Sequence, residues 1–186
     1  DGEANTTSLS FGAGNVTTIT DPLAAVTRHT HTATGELSQT EDVNGDIITI
    51  ASNADGQRSS ITDRLGDVTS MTYHAPSGKL ASITNADSSS SSFSYTGRTV
   101  SGLTLYDMTG ITHANGTTEN MIYDASGNVT SRTDQLGNTF VYSYNNNGQK
   151  LTRSHPAGGV TNYTYNADST LASITDPAGN ITIFGY

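Results

Sequence analysis

The sequence predicts an all-β fold: tandem β-hairpins forming a long curled antiparallel sheet or partial shell. Three observations carry this expectation. The chain has an internal period of 21 residues, each period holds two turn signals, and the segments between turns alternate and are rich in Thr, Val, Ile and Tyr.

The period is visible by direct comparison. Residues 127–144, Gly-Asn-Val-Thr-Ser-Arg-Thr-Asp-Gln-Leu-Gly-Asn-Thr-Phe-Val-Tyr-Ser-Tyr, recur in outline at 169–186, an offset of 42 residues or two periods. A pair of ring positions serves as a ruler. Its first member falls at His29, Ile50, Met71, Phe93, Met121, Tyr142, Tyr163 and Phe184, and its second at His31, Ser52, Tyr73, Tyr95, Tyr123, Tyr144, Tyr165 and Tyr186. The first members are spaced by 21, 21, 22, 28, 21, 21 and 21 residues, so eight units are present and one carries seven extra residues. The organisation read from this is a leading strand or partial repeat over 1–13 and repeats over 14–96. An irregular repeat with the insertion follows over 97–120, then further repeats over 121–186.

Each unit has two turns. The first is Asp-x-x-Gly, at Asp42 to Gly45, Asp63 to Gly66, Asp134 to Gly137, and Asp176-Pro177-Ala178-Gly179, where Asp first, Pro second and Gly fourth suit a type I turn. The second follows the ring pair and ends in glycine, as in Asp124-Ala125-Ser126-Gly127 and Asn145-Asn146-Asn147-Gly148. The two differ enough in composition to suggest turns of opposite character returning the chain antiparallel. Between them, Thr139-Phe140-Val141-Tyr142-Ser143-Tyr144 alternates as a strand with one half-buried face. The arm after Gly127 is less regular: Val129 and Arg132, like Leu171 and Ile174, lie three apart, which predicts a bulge or bend.

Eight hairpins give about sixteen strands and a sheet of roughly 77 Å at the usual strand spacing. Open twisted sheets rarely exceed about ten strands without curling, hence the expected shell. A parallel β-helix with one coil per period is the alternative architecture. The ring positions His29, His31, Met71, Tyr73, Phe93, Tyr95, Met121, Tyr123, Tyr142, Tyr144, Tyr163, Tyr165, Phe184 and Tyr186 are expected to form a stacked structural ladder. Ser88 to Ser92 is a five-serine run with little to pack, and Gly97 to Gly116 reads as a longer loop or misaligned hairpin.

Composition narrows the function classes. Eight basic and 17 acidic side chains give a net charge of −9, which argues against nucleic acid, and no apolar run is long enough to insert in a membrane. Thr, Ser and Asn number 31, 22 and 15 and strong helix formers are scarce, which excludes a helical bundle. The absence of cysteine removes disulfides, thiolate metal sites and thiol nucleophiles. Asp1-Gly2-Glu3-Ala4 does not begin a signal peptide, and the chain starts and stops at arbitrary phases of the repeat, so a piece of a longer protein is expected.

The motif at 127–144, followed by Asn145-Asn146-Asn147-Gly148-Gln149-Lys150-Leu151, resembles the Rhs or YD-repeat family, with the Tyr-Asp pair in register at Tyr123-Asp124. The resemblance covers nearly the whole chain and weakens before Gly14. It implies a sheet wound into a hollow cocoon, as in polymorphic toxins, the shells of insecticidal toxin complexes and the teneurins, where repeats enclose a toxin or form an adhesive stalk. Some bacterial members cut themselves with aspartates in a separate block. Asp176-Pro177-Ala178-Gly179 is similar to it but sits in register as an ordinary repeat turn before Asn180, so autoproteolysis is not carried over.

Single residues offer little chemistry. His29 and His31 share a strand face and have metal-ligand spacing, yet they occupy ring positions of the repeat, and no metal site is assigned to them. His74, His113 and His155 share no spacing with acidic partners. Asp42, Asn44 and Asp46 open like a calcium loop, but Ile47 and Asn53 stand where glycine and a bidentate glutamate are needed. Sequons begin at Asn5, Asn15, Asn115, Asn128, Asn162 and Asn180, six where chance at this Ser and Thr content supplies about four, so they say little. No nucleophile elbow, phosphate loop or metalloprotease motif appears, so no enzyme, catalytic residue or cofactor is expected.

The expected role is therefore structural: a segment of a secreted or cell-surface protein that builds a β-shell around a toxin cargo or forms an adhesive stalk. Its partners would be further repeats of the same chain, other copies, and an enclosed toxin domain. Two alternatives remain open, a self-associating filament or tube subunit, and a carbohydrate-binding surface that stacks glycans on the repeated tyrosines.

Overall fold

The computed structural model describes residues 6–186, which hold seventeen strands and no helix. Residues 1–5 of the leading segment, with the sequon at Asn5, lie outside the described residues. The chain divides into two units, one running through Tyr73 with Leu80–Ser90, the other comprising His74–Lys79 with Ser91–Tyr186. In the first, β1 (Ser8–Gly12), β2 (Val16–Thr20), β3 (Val26–His31), β4 (Leu37–Glu41), β5 (Ile47–Ser52), β6 (Arg58–Thr62) and β7 (Val68–His74) pair consecutively and antiparallel. β8 (Lys79–Thr84) lies mostly in this unit.

In the second unit the same consecutive antiparallel pairing runs through β9 (Ser90–Val100), β10 (Leu103–Thr112), β11 (Thr118–Tyr123), β12 (Val129–Thr133), β13 (Thr139–Tyr144), β14 (Lys150–Ser154), β15 (Val160–Tyr165), β16 (Leu171–Thr175) and β17 (Ile181–Ile183). The parallel β-helix is thus not adopted. The reason is local, because a five-residue turn reverses the chain whereas a parallel crossover needs a dozen residues or more. The strand count exceeds sixteen because the leading segment contributes β1.

The two turns of each unit are one structure, not opposites. At Asp124 and Asp134 alike, the first residue donates its N–H to the carbonyl of the fifth (2.9 Å) and accepts from the N–H of the fourth (3.0 Å). Starting residues advance by ten and eleven in alternation, at 124, 134, 145, 155, 166 and 176, which sums to the 21-residue period. The fourth residue takes a positive φ, 91° at Gly127 and 81° at Gly137. Ala24, Ser88 and Ser169 adopt the same conformation without being glycine, at φ 63°, 66° and 72°.

The irregular arm is a bulge that recurs with the repeat. Thr130, Leu151 and Ala172 are skipped in the ladders: Ile122 faces Ser131 while Tyr123 faces Val129, Ser143 faces Thr152 while Tyr144 faces Lys150, and Thr164 faces Ser173 while Tyr165 faces Leu171. Ser38 and Ser59 are skipped in the same way in the first unit. The extra residue is what brings Val129 and Arg132, three apart, to one face.

The insertion forms no loose loop. It lengthens both arms of the β9–β10 hairpin, whose register runs from Ser92 opposite Thr112 to Val100 opposite Leu103, closed by Ser101 and Gly102 and shifted once between Met108 and Gly110. Ser90 to Ser92, the end of the serine run, begin strand β9, and Ser92 opens this ladder. The hairpin touches its neighbours on both sides. Lys79 Nζ donates to the Tyr106 carbonyl at 2.7 Å, and the Arg98 guanidinium lies where a Cβ on Gly127 would sit, 2.3 Å from that position.

Among the described residues no side chain, apolar or polar, is fully buried. Stability therefore rests on ladders, turns and half-buried contacts, without the second packed layer that a sheet ordinarily needs. Because a non-glycine residue at positive φ costs about 1–2 kcal/mol, Ser169→Gly is expected to raise stability by about 1 kcal/mol. Urea unfolding of the two proteins measures the difference.

Candidate functional site

In β13 the burial alternates, with Phe140, Tyr142 and Tyr144 half-buried and Thr139, Val141 and Ser143 exposed. β11 and β15 repeat this with Glu119, Met121 and Tyr123, and with Thr161, Tyr163 and Tyr165. The ring positions thus lie on the half-buried face of their strands. His29, His31, Met71, Tyr73, Phe93, Tyr95 and Phe184 are half-buried as well, whereas Tyr186 is exposed. The opposite face carries cross-strand hydroxyl pairs, Ser143 with Thr152 at 2.6 Å and Thr164 with Ser173 at 2.7 Å.

The second-position tyrosines act through their hydroxyls. Tyr73 donates to the Arg58 carbonyl at 2.7 Å, Tyr123 to Met108 at 2.7 Å, Tyr144 to Val129 at 2.8 Å and Tyr165 to Lys150 at 2.9 Å. Every bond reaches back 15 residues and ties a strand to the hairpin arm before it. Ring positions of successive units stand two strands apart, about 9.6 Å, beyond the ~4.5–7 Å of a ring pair. The strand between them supplies the neighbours, so Arg132 faces Met121, Arg153 faces Tyr142 and Ile174 faces Tyr163. Ring pairs in the second unit instead join His74 to Tyr95 (5.4 Å) and Tyr106 (5.2 Å), and Phe140 to His155 (6.3 Å).

The turn aspartates hold their own turns. Asp42 Oδ1 accepts from the N–H of Asn44 and Asp46 at 2.8 and 3.0 Å, and Asp63 from Leu65 and Asp67 at 2.8 and 2.9 Å. At Asp124, Asp134 and Asp176 the second oxygen also accepts from the side-chain amide of Asn128, Asn138 or Asn180. Those amides, followed by backbone N–H donors, hold all three carboxyls below the ordinary aspartate value. The sequence signal for the pair is Asp-x-x-Gly-Asn, one residue longer than the Asp-x-x-Gly that marks the turn. His29 Nδ1 lies 3.1 Å from Thr40 Oγ1 and His31 Nδ1 3.3 Å from the Asn15 carbonyl. Among the described residues no group of three His, Cys, Asp or Glu is placed to hold a metal.

Charge collects on the half-buried face of the second unit, where His113, expected to share no spacing with an acidic partner, stands beside Glu119 because the ladder brings them together. Glu119 accepts from Arg132 Nη2 at 2.7 Å and Gln135 Nε2 at 3.2 Å, with His113 Nε2 3.1 Å away. These contacts, Arg132 first, hold its carboxyl at about 2. One period later Arg153 stands in the place of Arg132, and Phe140 in the place of Glu119. The Arg153 guanidinium lies 4.7 Å from the Phe140 ring centroid and Lys150 Nζ 4.7 Å from that of Tyr142. Arg153 Nε is buried without a hydrogen-bond partner.

Repeated hairpins pinned by hydroxyls and self-capped turns define a structural β-hairpin repeat segment. Residues 123–161, about a fifth of the chain, match the RHS Repeat family model. The solved structure "TcdB2-TccC3 without hypervariable C-terminal region" is similar in fold, at 15% identity and a TM-score of 0.60 over 95% of this chain and 10% of that one. The TcdB2-TccC3-Cdc42 structure matches at 13% identity and a TM-score of 0.40, over 94% of this chain and 14% of that one. This chain spans about a tenth of the length of the first structure it matches. No curated protein matches it.

Tyr144→Phe removes one hydroxyl bond to a backbone carbonyl and is expected to lower stability by about 1 kcal/mol, measured by urea unfolding. The folded-state value of Glu119, about 2, lies below its ordinary 4.5. Its stabilisation is therefore complete above about pH 4.5 and lost as pH falls toward about 2. Melting temperature followed over that window is expected to fall less steeply in Glu119→Gln than in the parent chain.

Proposed function

We propose that this chain is a wall segment of a larger secreted or surface-displayed toxin-type Rhs protein, its half-buried face turned toward polypeptide enclosed by the wall. The observation that carries the reading is a row of rings recurring along one face of a sheet in which no described side chain is fully buried. A face of this composition gains stability when another surface removes it from water. The fold shared with TcdB2-TccC3 lacking its hypervariable C-terminal region supports a toxin complex as the setting.

Hydroxyl-radical footprinting of the intact parent protein, compared with this chain alone, tests the reading. Tyr142 and Tyr163 are expected to be protected in the parent while Val141 on the opposite strand face keeps its reactivity. Equal labelling of both tyrosines in the two samples would refute it. Self-association is a second reading, favoured by Ile181 and Ile183 of β17, which are 64% and 79% exposed. Light scattering that finds only monomers at high concentration would dismiss it.

A further inference from the structure

We infer that Lys150 and Arg153, lying over Tyr142 and Phe140, form a carboxylate-binding subsite for an acidic side chain of the polypeptide covering this face. The inference rests on the covered-face reading above and adds the chemistry of what covers it.

The repeat itself supplies the comparison. Arg132 and Arg153 occupy the same repeat position, each on the bulged arm of its hairpin and each facing a ring-position residue, Met121 or Tyr142. In the earlier unit the matching carboxylate is built in, with Glu119 2.7 Å from Arg132. In the next unit the cation is retained and the carboxylate is replaced by Phe140. No carboxylate among the described residues pairs with Arg153 or Lys150. The bulge at Leu151 turns both cations to the same side, since Lys150 faces Tyr144 and Arg153 faces Tyr142 across one ladder.

A cation spread over a ring is partly desolvated and held in a fixed orientation, so it loses less on binding an anion than a freely hydrated one. The guanidinium edge beyond Phe140 then presents paired N–H donors in the geometry a carboxylate accepts. Aromatic surfaces beside the cations favour an acidic residue flanked by apolar ones.

The charge distribution selects a peptide over a nucleic acid. Asp124, Asp134, Asp168 and Asp176 stand at the turns of this unit, and the chain carries −9 overall. A long polyanion laid across the face would meet those aspartates, whereas one carboxylate seated between Lys150 and Arg153 meets only the cations.

The test titrates the ¹⁵N-labelled full chain with two blocked peptides of alternating leucine and acidic or amide residues, one with glutamates and the other with glutamines. The acidic peptide is expected to shift the Arg153 Nε–H signal and bind about tenfold tighter than the neutral one, a difference of about 1.4 kcal/mol. Arg153→Met is expected to remove most of that preference. Phe140→Glu rebuilds the carboxylate of the earlier unit, so it should abolish the preference while circular dichroism still reports a β fold.

Equal binding of both peptides would overturn the subsite and leave the covered face intact, since footprinting of the parent tests coverage independently. Persistence of the preference in a folded Phe140→Glu chain would overturn it too. A short oligothymidylate that shifts the Arg153 signal more strongly than the acidic peptide would replace it with a nucleic-acid site.

Discussion

The side chains of a strand alternate with a period of two, and the repeat of this chain has an odd length. That conflict governs the structure. In a ladder of plain hairpins closed by five-residue turns, facing residues have the same parity, and an odd period would send each successive ring position to the opposite face. One skipped residue per unit, at Thr130, Leu151 or Ala172, changes the parity once and keeps Met121, Tyr142 and Tyr163 together. The enlarged unit obeys the same rule: its spacing of 28 is even because a two-residue turn at Ser101 and Gly102 accompanies its single register shift.

From that constraint follows the division of labour between the faces. Hydroxyl pairs hydrate one side, on which Ile122, Val141 and Ile183 also stand exposed. The other side carries rings whose hydroxyls bond the arm before, and a set of cations placed between rings by the ladder. Repetition then makes differences informative. Glu119 and Phe140 occupy one position of two units, and the substitution leaves Arg153 without the partner that Arg132 has.

Much of this was legible in the sequence because it is local. The Asp-x-x-Gly turns and the alternation at 139–144 are read within a few residues, and the three-residue spacing of Val129 and Arg132 marked the bulge. What escaped depends on the adjacent strand. The partner of a tyrosine hydroxyl is a backbone carbonyl 15 residues earlier, set by register and carrying no side-chain signature. A stacked ring ladder was a reasonable expectation from spacing along the chain, but spacing across strands puts an arginine or isoleucine between successive rings. The sequence likewise offered Gly97 to Gly116 as a longer loop or misaligned hairpin, and it is the hairpin with one register shift that forms, Gly97 lying opposite Tyr106 with the Thr104 methyl 3.1 Å from where a Cβ would sit.

The turns' self-sufficiency has a kinetic consequence. Most reversals close through bonds among five neighbours, and their ladders join arms adjacent in the chain, so the entropy lost in forming one such hairpin is small and nearly the same from one to the next. Within each unit, order can therefore start at any well-made hairpin and spread outward as a chain of nearest-neighbour steps. A damaged hairpin would interrupt that propagation locally without erasing structure elsewhere.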